Sequence, residues 1–191
     1  MTSARLLSAQ DRPARPWKNG GGVTRDVAVF PEGAGDEDFL WRASLATIAA
    51  PGPFSPFPGV DRAFLLVNGS LRIRIGDGDE HHLHGGASAP LLFVGEEAVM
   101  AAPVEGPCLA LNIMTRRGKA SARITAWDRV RPTSADTLLL IAPTATIVRC
   151  GPQDFPLSDG DAVLIDGPAD AMLAIDGPVI AAEIFGRQLV Q

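Results

Sequence analysis

Apolar and polar residues alternate in short runs along most of this chain, and glycine or proline interrupts nearly every run. A period of two places successive side chains on opposite faces of a strand, whereas a helix needs apolar positions three and four apart. The clearest case is Arg62 to Ile75, RAFLLVNGSLRIRI, where two apolar runs meet at Asn68-Gly69, a pair suited to the positive φ angles of a primed hairpin turn. Leu71, Ile73 and Ile75 then face inward, with Arg72 and Arg74 outward. Between Trp41 and Ile48 the same period gathers Arg42, Ser44, Ala46 and Ile48 on one face. In Cys108 to Arg116 it gathers Ala110, Asn112, Met114 and Arg116. Val23 to Phe30 divides into Val23, Arg25, Val27 and Val29 against Thr24, Asp26, Ala28 and Phe30.

Twenty glycines and sixteen prolines leave little room for helices of ordinary length, so the reading is all-β. The proline-rich run Pro51 to Pro58 cannot supply regular ladder donors and is expected to be a rigid loop that packs Phe54 and Phe57. Residues 117 to 135 are polar and basic, a connector with Ile124 and Trp127 docked on the core. Beyond it the first half repeats in outline: TLLLI and TIVRC (Thr137 to Cys150) match the pattern of the LLVNGSLRIRI segment. Such self-similarity predicts two β units sharing a core, 1–118 and 119–191, without a flexible linker. Many short strands with segments like DGDAVLI point to a jelly-roll or double-stranded β-helix, an architecture whose mouth can hold a small ligand.

Charge narrows the partners. At -5 the chain is acidic, with no basic stripe or aromatic ladder, which argues against nucleic acid. The opening residues, MTSARLLSAQDR, lack a long apolar core, so neither a signal peptide nor a membrane span is expected and a cytoplasmic location follows. A homodimer is compatible with this composition. Cys108 and Cys150 sit in apolar strand-like surroundings without a CxxC pattern, as buried reduced thiols do.

Three groups of residues could carry chemistry. The first is Arg15 to Val29, RPWKNGGGVTRDVAV: Gly20, Gly21 and Gly22 allow a tight turn with exposed amides, beside Lys18, Asn19 and Arg25. Taken alone, it reads more readily as a surface hairpin with solvated charges. A phosphate loop is disfavoured because a strand, not a helix, follows the glycines. The second is the histidine cluster His81, His82 and His84. His82 and His84 share a strand face, but no further histidine follows in the chain, and Glu80 is expected to join that face only through a bulge. We therefore assign no metal and no cofactor. The third is a set of cations at strand positions, Arg25, Arg42, Arg62 and Arg116, some of which must point into a core. A guanidinium there needs a partner: an internal Asp26, Asp61 or Glu183, or a ligand carboxylate.

The stretches PWKNGGGVTR (Pro16 to Arg25), FLWRASLATIAAPGPFSPFPGVDR (Phe39 to Arg62) and LNIMTRRG (Leu111 to Gly118) together resemble the HutD/Ves family of bicupins. The resemblance covers roughly residues 15 to 118. It implies a cupin fold with two β-barrel halves in one chain, and a role connected with histidine utilisation through binding of an acid such as urocanate or formylglutamate, without an established catalytic activity. It also implies that the matching polar positions matter: Lys18, Asn19, Thr24, Arg25, Arg42, Ser44, Asp61, Arg62, Asn112 and Arg116. The usual cupin metal motif is missing.

The expectation is thus a metal-independent protein that binds a small carboxylate. Lys18, Arg25 and Arg42 supply charge, Gly20, Gly21, Asn19 and Asn112 orient the ligand, Phe54 covers it, and Thr24, Ser44, Arg62 and Arg116 complete the mouth. The alternative is a metal-free isomerase or hydrolase acting on a small acid, with Lys18 or Asp61 as acid or base. A protein-interaction module is the third option.

Overall fold

The computed structural model describes residues 2–186, so positions 187–191 of the expected second half lie outside the described residues. Strands dominate, and the only helices among the described residues are two 3-10 turns, Ala9–Asp11 and Pro168–Asp170. None is long and apolar enough to cross a membrane.

The described residues form two compact units. One is Pro13–Gly118; the other combines the residues up to Arg12 with those from Lys119 onward. The boundary falls between Gly118 and Lys119, and the segment up to Arg12 groups with the residues from Lys119 onward rather than with Pro13–Gly118. Its strand β1 (Ser3–Leu7) ladders with a strand near the end of the chain, with Ser3 opposite Asp166 and Leu7 opposite Ala162.

The Pro13–Gly118 unit contains β2 (Arg15–Pro16), β3 (Gly22–Phe30), β4 (Trp41–Ile48), β5 (Gly52–Pro53), β6 (Val60–Asn68), β7 (Ser70–Ile75), β8 (Glu80–His84), β9 (Leu91–Val94), β10 (Val99–Pro103) and β11 (Cys108–Arg116). A six-stranded antiparallel sheet runs β2-β3-β4-β11-β6-β9 and a four-stranded sheet runs β5-β10-β7-β8. Ile48, Phe64, Leu66, Cys108 and Ala110 from the first meet Leu71, Ile73, Leu83, Val99 and Ala101 from the second in one buried cluster. Each large side chain so buried stabilises the fold by about 1.5–3 kcal/mol.

Asn68-Gly69 does not close a hairpin. β6 and β7 lie in different sheets, so the turn carries the chain across the core, and the two apolar runs meet face to face. Gly69 has a φ of +90°, and a Cβ there would come within 3.0 Å of Cys108 Sγ. Only Gly69 takes a positive φ and Asn68 does not, so the turn is not of the primed kind that closes a two-residue hairpin, and the pairing of the flanking strands is left to the core.

The other unit contains, after β1, β12 (Ser121–Trp127), β13 (Thr137–Ile141), β14 (Thr146–Cys150), β15 (Gln153–Leu157), β16 (Ala162–Asp166), β17 (Leu173–Ile175) and β18 (Val179–Phe185). Its sheets run β1-β16-β13-β18-β12 and β15-β14-β17. Trp127, Leu138, Leu140, Val148, Val163, Ile165 and Val179 fill its core. The expected connector contains a full strand, β12, paired with β18 from Ser121–Phe185 to Trp127–Val179. Its strand character, with Ile124 and Trp127 buried, is masked by three basic residues, Arg117, Lys119 and Arg123.

Candidate functional site

Antiparallel register puts paired residues on the same face. Across the six-stranded sheet, one row therefore reads Phe93, Arg62, Met114, Arg42, Val29, and the next reads Leu91, Phe64, Asn112, Ser44, Asp26. Phe64 belongs to the core cluster between the sheets, so both rows face inward. A band of polar side chains thus crosses an otherwise apolar interior. Arg42, Ser44, Arg62 and Asn112 in it are 4%, 2%, 8% and 6% exposed. The row also depends on a bulge in β3, where the register shifts between Asp26 and Ala28. The bulge ends the simple alternation expected for Val23 to Phe30: Val29 faces Arg42, while Phe30 crosses to the opposite face and stacks on Trp41 at 6.0 Å.

The two buried guanidinium groups in this band differ. Arg42 donates from Nη2 to Asp26 Oδ2 at 3.1 Å and from Nη1 to Asp36 Oδ1, and Arg15 reaches the same Asp26 oxygen at 2.5 Å. The internal aspartate anticipated as a partner for a buried arginine is thus found here, and Arg42 is neutralised. Arg62 has no such carboxylate. Its Nε donates to Asn112 Oδ1 at 3.4 Å, and its remaining nitrogens have no partner among the described residues. Phe93, Phe54 and Phe57 surround it, with centroids 5.0, 5.1 and 5.9 Å from Cζ. Burial pushes this guanidinium down to about 10, which leaves it a cation at neutral pH. A desolvated cation against aromatic faces gains about 2 kcal/mol, much less than the several kcal/mol that removing its water costs. The side chain is poised for an anion, which a carboxylate matches with two parallel hydrogen bonds.

The other expected site residues take several positions. Phe54, half-buried, packs on Phe64 at 5.7 Å and lies over the Arg62 guanidinium. Thr24 lies on the inner face and accepts from Trp17 Nε1 at 2.8 Å. Arg116 donates to the carbonyls of Glu37 at 2.8 Å and Pro58 at 3.4 Å and lies 5.0 Å from the Phe39 ring, so it ties together the loops at the end of the sheet. Arg25 is exposed and pairs in register with Leu45, on the face opposite the polar band. Lys18 and Asn19 are also exposed.

The glycine turn is internally bonded. Gly20 N–H donates to Trp17 O at 3.0 Å and Gly21 N–H to Asn19 Oδ1 at 3.0 Å, so neither amide is left for an anion, and Asn19 Nδ2 reaches Pro53 O at 3.4 Å. At Gly22 a Cβ would lie 2.4 Å from Thr47 O, so the glycine there allows close strand approach. Of the acid–base candidates, Lys18 lies at the surface and Asp61 is held by Arg117 Nε at 2.8 Å. Glu80, His82 and His84 share one face of β8 by simple alternation, without the bulge anticipated. Glu80 and His82 are 3.4 Å apart, while His84 meets Ser70 Oγ at 3.2 Å.

Phe93, the ring closest to Arg62, is missing from the sequence reading. Its only signal is the short run LLFV, and its role follows from the pairing of β9 with β6, a contact no local pattern specifies.

Comparison with known proteins places this arrangement. The HutD family model matches residues 9–182. The chain belongs to the HutD family. A Pseudomonas putida protein described as an uncharacterized 21.2 kDa protein in the hutC 3' region is 34% identical, the match covering 98% of this chain and all of that one. Protein Ves of Citrobacter koseri is 40% identical over 119 residues, which is 61% of this chain and 60% of Ves, so the match leaves two fifths of that relative unspanned. Among solved structures, HutD from Pseudomonas fluorescens SBW25 superposes with a TM-score of 0.83 at 26% identity, covering 97% of this chain and 100% of that one. A cupin 2 conserved barrel domain protein from Leptotrichia buccalis superposes at 0.57 with 11% identity over 96% of each chain, a likeness of fold alone. The HutD fold seen here is all-β and cupin-like.

Proposed function

We propose that this protein is a metal-independent receptor for a small carboxylic acid, bound on the inner face of the Pro13–Gly118 unit with its carboxylate on Arg62. The observation that carries this reading is the Arg62 guanidinium: 8% exposed, ringed by three phenylalanines, and without a carboxylate among the described residues. Asn112 holds Nε and so aims the two outer nitrogens. Phe54, Phe57 and Phe93 exclude water and suit a flat, unsaturated acid. Each unit is built of two sheets around its own core, which supports reading the chain as a bicupin with its ligand in one half.

The relative in the hutC 3' region supports a place in histidine utilisation, with urocanate or formylglutamate as the ligand and an accessory or regulatory role. Calorimetric titration with both acids tests this. Saturable one-to-one binding is expected, lost by about a hundredfold or more in Arg62→Met, since a charged hydrogen-bonding pair at a desolvated site is at stake. A folded protein that binds no small acid, or an Arg62→Met variant that binds as tightly as the wild type, overturns the proposal.

A further inference from the structure

Arg62 accounts for only one end of the polar band. The next row holds Asp26, Ser44 and Asn112 on three adjacent strands. Asp26 Oδ2 is occupied by Arg15 and Arg42, but Asp26 Oδ1 is buried and accepts no hydrogen bond. Ser44, 2% exposed, has a hydroxyl without a partner among the described residues. Asn112 accepts from Arg62 through Oδ1, which leaves its Nδ2 donors unused. Buried polar atoms are nearly always satisfied, so the unfilled Asp26 Oδ1 stands out, with a hydroxyl and an amide that have no protein partner beside it in the same row.

The order of these groups has chemical content. At the Arg62 and Asn112 end the free groups are mainly donors, the outer guanidinium nitrogens and the Asn112 amide, which fits a carboxylate. At the Asp26 end the free valence is an acceptor on a group already tied to two cations. Adjacent strands lie about 4.8 Å apart, so roughly 10 Å of backbone separates Asn112 on β11 from Asp26 on β3, with Ser44 between them.

We infer that the site takes an acid carrying an N–H donor at the end opposite its carboxylate, and that Asp26 Oδ1, assisted by the Ser44 hydroxyl, is the group that reads this donor. This rests on the carboxylate reading of Arg62 and adds a second recognition point to it. Asp26 is a specificity residue: an acid without the N–H leaves its buried oxygen unpaired, and such a site rejects the incomplete ligand more strongly than the hydrogen bond alone would suggest. The pairing of Asp26 with Arg42 then has a purpose beyond charge balance, since it fixes which oxygen turns inward.

The test compares two flat acids of the same shape: urocanate, whose imidazole carries an N–H, and furylacrylate, whose ring carries none. Wild-type protein is expected to bind urocanate about tenfold or more tightly than furylacrylate. Asp26→Asn can keep an oxygen toward Arg42 and turn an amide inward, so it should reduce that preference to within about threefold, mainly by weakening urocanate. Ser44→Ala, which touches no ion pair, should reduce it by a smaller factor and serves if Asp26→Asn does not fold. Equal wild-type affinity for the two acids overturns the inference while leaving the carboxylate reading intact. Equal loss of both acids in Asp26→Asn, with the preference kept in Ser44→Ala, overturns it as well, because it shows a merely structural aspartate. Binding of neither acid to the folded wild type overturns both readings.

Discussion

Each unit buries an ionised side chain on an inner face, Glu183 in one and Arg62 in the other, and the two are treated in opposite ways. In the unit completed by Lys119 onward, Glu183 is 2% exposed, on the face of β18 that pairs with core residue Leu138. Arg123 grips it with two bonds of 2.8 and 2.9 Å, and Thr133 adds a third at 2.7 Å. In the Pro13–Gly118 unit, Arg62 is 8% exposed and has a single long bond to Asn112. The satisfied carboxylate docks the connector onto the sheet and serves stability. The unsatisfied guanidinium does nothing for stability that a methionine could not do. A buried charge without a counter-charge costs free energy, and retaining one makes sense where a ligand supplies the missing partner.

Cutting the satisfied pair should give the largest effect. Arg123→Ala leaves Glu183 buried with Thr133 as its remaining side-chain partner, and breaking such a pair typically costs about 3–5 kcal/mol. Arg123 itself is 60% exposed, so we place the expected loss at the lower end, about 3 kcal/mol, read from the urea midpoint. A loss below about 1 kcal/mol would erase the contrast between the units. Arg62→Met should behave differently: it removes a buried cation and fits a flexible apolar side chain among three rings, at the cost of an unpaired Asn112 oxygen. Its stability is expected within about 1 kcal/mol of wild type, on either side, even as acid binding disappears. A variant destabilised as strongly as Arg123→Ala would mark Arg62 as structural and break the comparison.

How much of this contrast could be read beforehand depends on how local each determinant is. Faces within one strand follow from the period of two, so Arg42 with Ser44, and Asn112 with Met114, were placed together correctly. Neighbours across strands were not legible. Whether Arg42 or Arg62 would meet the internal aspartate depends on β3 lying next to β4, and on a bulge that re-aims Val29 while leaving Asp26 opposite Ser44. The glycine turn misled for a related reason: its amides are satisfied by Trp17 O and by Asn19, the very side chain expected to help them hold an anion. Family resemblance identified the set of polar positions, and only register sorted them into an interior band, a loop clamp at Arg116 and exposed groups at Lys18 and Arg25.

The smallest effect concerns the strand that carries Arg62. Arg117, at the end of the same segment as Asn112, donates to Glu96 at 2.7 and 3.2 Å, to Asp61 at 2.8 Å and to Val60 O at 3.2 Å. Gly59 N–H also reaches Glu96, at 2.7 Å. These bonds, the arginine's first, hold the Glu96 carboxyl down at about 2 from an ordinary 4.5. Because the folded value lies below the unfolded one, the unfolded chain binds more protons between the two. The clamp's contribution is therefore complete above about pH 4.5 and disappears as pH falls through about 2. The groups are at the surface, so the effect is small and salt-sensitive. The stability difference between wild type and Arg117→Ala should be constant from pH 7 to 5 and shrink below that. Trp17 and Trp41 fluorescence should report it more than Trp127, since Arg117 and Glu96 lie in the Pro13–Gly118 unit. A difference that grows on acidification, or one seen only through Trp127, would mean that the clamp does not brace the strand on which Arg62 stands.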